Sequence, residues 1–100
     1  MNIRIKGVNL IISFKVRRLI NDKFVVKLDQ LLPQFNNELK TAYLHLEKNK
    51  KYKNYIAKFD MTLPGQKNSF HAEVEHSDLT STITNLREAI EKQIKKYKHA

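Results

Sequence analysis

The chain has 100 residues, of which 41% are hydrophobic, enough for one modest core and too few for a second domain. Nineteen Lys and Arg against ten Asp and Glu give a net charge of +9, which directs attention to an acidic or polyanionic partner. The absence of cysteine excludes a disulfide framework, a thiolate metal site and a cysteine nucleophile, so folding must rest on packing.

Ile3 and Ile5 alternate with Arg4 and Lys6 before Gly7, which predicts a strand over 2–7 with one buried face. The short apolar run from Val8 to Ile12, interrupted by Asn9, is too brief for the hydrophobic region of a signal peptide, and no segment is long enough to span a membrane. A cytoplasmic protein with no membrane partner is therefore the expectation. From Ser13, a candidate N-cap, the period changes: Val16, Ile20, Phe24, Leu28 and Leu31 form a stripe at spacings of three and four, which predicts a helix over 14–32. Pro33 ends it, and Asn36-Asn37 makes an exit.

Ala42, Leu44 and Leu46 alternate with polar neighbours, and Tyr55, Ala57, Phe59, Met61 and Leu63 do so after the polar run 48–51, which together predict a hairpin. Pro64-Gly65 with Gln66, Lys67 and Asn68 turns the chain into a last strand in which Phe70, Ala72 and Val74 alternate with His71, Glu73 and Glu75. Asp78 is the candidate N-cap of a second helix over 79–98, with the stripe Leu79, Ile83, Leu86, Ile90, Ile94 and Tyr97. The last few residues are expected to form a flexible basic tail.

The order strand, helix, strand, strand, strand, helix gives an α+β fold, a βαβββα two-layer sandwich. A right-handed crossover sets the first strand parallel to a neighbour, the second, in a four-stranded mixed sheet, and burying every stripe places both helices on one face. No apolar stripe is left over, so a monomer is expected.

Net charge by segment is +2 over 1–12, +3 over 13–32, −1 over 33–39, +5 over 40–58, −3 over 59–84 and +3 over 85–100. In the second helix Lys92, Lys95 and Lys96 fall opposite the apolar stripe, where they could simply complement the helix dipole and keep the protein soluble. The first helix also carries Lys15, Arg17, Arg18, Lys23 and Lys27, and two such helices side by side would present one broad basic surface suited to a phosphate backbone. Lys23 and Lys27 lie along the edge of the stripe, where long stems can cover apolar surface and reach outward. The hairpin run Lys48, Lys50, Lys51 and Lys53, with Tyr52 and Tyr55 interleaved, suits RNA by charge and stacking, and equally suits a solvated tip that protects edges from aggregation.

His45, His71, His76 and His99 are scattered, and His71 and His76 should face opposite sides of a strand, so no metal site is expected. His71, Glu73 and Glu75 share one sheet face, as alternation alone produces on any wet face, and no catalytic residue is assigned. With only Gly7 and Gly65, no glycine loop cradles phosphate, and neither a cofactor nor a small-molecule substrate is indicated.

The segments MNIRIKGVNLIIS at the start, TLPG at 62–65, FHAEV at 70–74 and the lysine-rich helix from Ile83 are individually weak but specific in their order and spacing. Through them nearly the whole chain resembles the ribosome hibernation promoting factor family, also described as ribosomal subunit interface or sigma-54 modulation proteins. The resemblance implies the fold deduced above, with a likeness to double-stranded RNA-binding domains, and no enzymatic activity. It implies a translation silencer that binds the small ribosomal subunit and its ribosomal RNA in the messenger and transfer RNA channel during starvation or stationary phase. The chain is similar to the short form, which can cooperate with a separate ribosome-dimerising factor. Carried over as RNA-binding residues are Lys92, Lys95, Lys96 and Lys98, with Lys23 and Lys27; Arg18 and Arg87 complete the candidate set. The stretch Phe24 to Leu28 is one residue longer than the family pattern, Ala89 stands where the family has a basic residue with Arg87 nearby, Thr84 replaces an acid, and Val8 and Ile11 replace polar residues. The alternatives are a free-standing module for structured RNA and a protein-interaction module acting on transcription machinery.

Overall fold

A computed structural model describes residues 1–65 and 69–99, without the side chains of Asn37 and His99. Gln66, Lys67 and Asn68 of the expected turn therefore lie outside the described residues, as does the His99 imidazole. Strands β1 (Asn2–Val8), β2 (Thr41–Asn49), β3 (Asn54–Thr62) and β4 (Phe70–His76) form one sheet in sequence order. β1 runs parallel to β2, from Asn2 opposite Thr41 to Val8 opposite Glu47, and the remaining neighbours are antiparallel, as the crossover argument required.

The strand alternation survives intact. Ala42, Leu44 and Leu46 of β2 and Ala57, Phe59 and Met61 of β3 are buried on one face, against Ile20, Phe24 and Leu28 from the first helical rod and Ile83, Leu86, Ile90 and Ile94 from the last. Both helical elements therefore lie on that face, and the Phe24 ring meets Phe59 edge-on at 4.7 Å between centroids.

The first rod departs from a uniform helix. It consists of α1 (Phe14–Ile20), a π-helical segment (Asn21–Val25) and α2 (Val26–Leu31), and Ile20, Asn21, Val25 and Val26 all keep right-handed helical backbone angles, so the rod is continuous. The Val26 N–H donates to the Asn21 carbonyl, five residues back. The cause lies in the stripe. Ile20, Phe24, Leu28 and Leu32 recur every four residues, and each such step overshoots a full α-helical turn by about 40°. A wider turn takes up part of that drift and keeps Leu28 and Leu32 on the core side, both fully buried. One boundary and one core position are thereby corrected: the helix ends at Leu31, and Leu32, outside the expected stripe, takes the buried place expected of Leu31.

Ser13 caps the rod as expected, its Oγ accepting from the Val16 N–H at 3.3 Å. Asp78 caps α3 (Leu79–His99), accepting from the Ser81 N–H at 2.7 Å. That bond, then the Ser81 side chain and more weakly the charge of His76, hold the Asp78 carboxyl below its ordinary value. At the other end of the fold β1 continues one residue past Gly7, where the sequence reading stops it. A Cβ at Gly7 would collide with the Leu10 carbonyl oxygen, because the chain turns back through Asn9 at a positive φ of 55°. The hairpin tip is shorter than the polar run suggests: β2 includes Lys48 and Asn49, and the Asn49 Oδ1 accepts from the backbone N–H of Lys51 and Tyr52 at 3.0 and 3.4 Å.

Candidate nucleic-acid interface

A stripe that is buried on one side of a helix must leave its intervening residues outside, and on these rods the intervening residues are basic. Lys15, Arg17, Lys23 and Lys27 of the first rod are exposed, as are Lys92, Lys95, Lys96 and Lys98 of α3. None of these eight makes an ion pair among the described residues. With like charges three and four residues apart on α3, such an arrangement repels itself and gains only when an anion approaches.

Two of the candidate residues behave differently. Arg18 lies 3.8 Å from Asp22 on the outer surface, a loose i,i+4 pair. Arg87 turns sideways from α3: its Nε lies 2.9 Å from Glu91 Oε1 and its NH1 donates to the Lys23 carbonyl at 3.1 Å. Its side chain is four-fifths covered, and through the Lys23 carbonyl it clasps α3 to the π segment. By gripping the backbone of Lys23 it fixes where the first rod's Lys23 side chain leaves the surface relative to the lysines of α3. The structure thus brings Lys23 and Arg87, the latter one turn before the α3 lysines, together, and leaves Arg18 paired with Asp22 on the first rod.

One cation of the basic hairpin segment is not at the surface at all. Lys40, at the foot of β2, is 1% exposed, and its Nζ lies 3.0 Å from Asp29 Oδ1, while the other Asp29 oxygen meets the Met1 ammonium at 2.9 Å. This network joins α2, β1 and β2, and it removes a positive charge from the surface field. No periodicity marks it; the signal available in the sequence is a lysine directly before a strand whose next residue is polar and next but one apolar.

The sheet face turned away from the helices carries His71, Glu73 and Glu75 in a row, as expected, with His71 Nδ1 2.7 Å from Asp60 Oδ1 and Lys58 3.9 Å from Glu73. Among the described residues no group of three or more His, Asp or Glu could hold a metal ion, and no helix is long and apolar enough to cross a membrane. On the β1–β2 half of the same face, Arg4, Ile5, Lys6, Tyr43, Leu44 and His45 line a groove of about 220 Å³ that the sequence reading did not single out. Finding it requires the register that sets Arg4 opposite Tyr43 and Lys6 opposite His45.

Taken together, a four-stranded mixed sheet backed on one face by helices whose outer sides are cationic defines an α+β domain with a basic helical layer. The profile of the sigma 54 modulation protein / S30EA ribosomal protein family matches residues 3–100, and the chain belongs to that family. It is 36% identical over 95 residues to a ribosome hibernation promotion factor of Lactococcus lactis subsp. cremoris, and 32% identical over 94 residues to that of Staphylococcus aureus. Each alignment takes in 94% of this chain and 48% and 46% of the respective relative, so the chain spans about half the length of the curated relatives it matches. Among solved structures, the N-terminal domain of Thermus thermophilus Protein Y superposes with a TM-score of 0.77 at 26% identity, covering 97% of this chain and 99% of that one. A ribosomal subunit interface protein from Coxiella burnetii gives 0.73 at 23% identity with both chains fully covered, a likeness of fold.

Proposed function

We propose that this domain is a non-catalytic, ribosome-associated hibernation factor that silences translation by occupying the messenger and transfer RNA channel of the small subunit. The observation that carries the reading is the set of unpaired cations on both helical rods, held in fixed relation by the Arg87 clasp on Lys23. Family membership and relatives named for ribosome hibernation supply the partner. Lys92, Lys95, Lys96 and Lys98, with Lys23 and Lys27, contact ribosomal RNA phosphates; Arg18 adds its charge at the margin and Arg87 chiefly positions. Occupancy is itself the mechanism, with no bond made or broken. The domain acts as a monomer on one ribosome, and a separate dimerising factor is the partner that would pair silenced ribosomes.

Sedimentation with isolated small subunits, in the presence of excess generic duplex RNA, tests this. Near-stoichiometric comigration that resists the competitor is expected, with a log-log salt slope of about −3.5 to −4.5 if roughly five phosphates are neutralised. Lys92→Glu with Lys96→Glu should weaken binding by about 50-fold at moderate salt while leaving the domain folded. Full displacement by duplex RNA would turn the assignment to a free-standing module for structured RNA, and unchanged binding by the double variant would remove α3 from the interface.

A further inference from the structure

The open face of the sheet is electrically divided. On its β3–β4 half the acids are engaged: Asp60 with His71 at 2.7 Å, Glu73 with Lys58 at 3.9 Å, and Glu75 as acceptor from the Asn54 side-chain amide. On its β1–β2 half the cations are not. Arg4 and Lys6 are exposed and have no ion pair among the described residues, and the acid of that half, Glu47, is drawn to His45 at 3.5 Å. Opposite Arg4 on the neighbouring strand lies Tyr43, 54% exposed on a strand whose inward neighbours Ala42 and Leu44 are buried, so its ring is displayed by a rigid support; Asp60, opposite Tyr43 on its other side, is engaged by His71.

We propose that this groove binds single-stranded RNA: one unstacked base lies on the Tyr43 ring, and the adjoining phosphates are held by Arg4 and Lys6. The chemistry favours a single strand over the other polyanions. Arg4 offers a planar fork that matches a phosphate, and Lys6, two residues along the same strand face, sits about 6.6 Å away as a second cation. A duplex hides the faces of its bases within the stack, so only an unpaired strand can use an exposed aromatic ring with a pair of cations on the adjoining strand. The helical layer, by contrast, offers α3 lysines suited to a phosphate backbone alone. The identity of the strand as RNA rests on the ribosome-associated reading above; the site itself rests on the groove.

The test is a fluorescence anisotropy titration of a short labelled oligouridylate with the full chain. Saturable binding is expected, weakened about tenfold or more by Tyr43→Ala, largely kept by Tyr43→Phe, and weakened at least as strongly by Arg4→Glu with Lys6→Glu. Lys92→Glu with Lys96→Glu should leave oligouridylate binding intact while it impairs cosedimentation with ribosomes, so the two sites fail separately. Circular dichroism and the thermal midpoint verify that each variant is folded. No saturable binding, an affinity indifferent to Tyr43→Ala, an equal loss in the α3 variant, or tighter binding of a polyglutamate peptide than of the oligouridylate would overturn the proposal. Oligouridylate binding that depends on Tyr43 in a protein that ignores ribosomes would uphold the groove and dismiss the ribosomal setting.

Discussion

The outer face of the helical layer and the β3–β4 half of the sheet are equally wet and comparably charged, yet their charges do opposite things. On the sheet, His71, Lys58 and Asn54 each reach an acid of the same face, so every carboxylate of that half has a partner within the protein. On α3, Lys92, Lys95, Lys96 and Lys98 make no ion pair among the described residues; of the acids of that helix, Glu91 is taken by Arg87 and Glu88 pairs with none of them. Exposed pairs of the first kind contribute little to stability, and unpaired arrays of the second kind oppose it slightly. A binding face is thus better recognised by charge without an internal partner than by the amount of charge. By that criterion the surface marks α3, the first rod, the Arg4–Lys6 strip and the lysines of the hairpin tip, and passes over Lys40.

The largest effect is expected at the buried network around Asp29. Asp29→Ala strips Lys40 and the Met1 ammonium of their shared carboxylate and should cost about 3 kcal/mol in denaturant unfolding, since it leaves a covered ammonium short of an anion. A loss below about 0.5 kcal/mol would show that this network behaves like the surface pairs. Arg87→Ala comes next. It should lower ribosome affinity several-fold through the displaced Lys23, and the discriminating readout is the salt slope: a residue that only positions leaves the slope reduced by less than about one phosphate equivalent when Lys23 is still present. Lys92→Glu with Lys96→Glu should alter unfolding free energy by no more than about 0.5 kcal/mol, because both side chains stand clear of the packed stripe; a large loss would mean that they carry structure.

The smallest effect expected is at the Asp78 cap. Its folded pKa lies below the ordinary 3.8, so the ionised cap favours the native state at all pH values above that figure, and the advantage disappears as pH falls through the lowered folded value. Thermal midpoints of the wild type and of Asp78→Ala should therefore differ near neutral pH, with the wild type higher, and converge in strong acid. A gap that persists unchanged in acid would assign the cap to shape, not charge.

Much of this was readable without coordinates. Period-two alternation at Ala42, Leu44 and Leu46 and again at Ala57, Phe59 and Met61, with the three-and-four stripe from Ile83 to Ile94, names buried faces because burial in a strand or helix is a local, repeating geometric fact. Ser13 and Asp78 were legible for the same reason, since a cap acts within three residues. The exposure of Lys92, Lys95 and Lys96 followed from the stripe beneath them.

Local patterning thus settles the order of strands and helices, the parallel first pair and the side of each element that carries charge. Which charges remain available depends on how those elements pack, as does the π segment of the first rod. Lys40 is a surface cation by composition and a buried partner of Asp29 by fold; Arg87 belongs to the basic array by position and to the π segment by contact; Arg4 and Tyr43 are distant in the chain and meet across two strands. The reason is physical: hydrophobic periodicity is written in neighbours a turn or a pleat apart, whereas an ion pair or a groove joins residues whose separation is set by how whole elements pack.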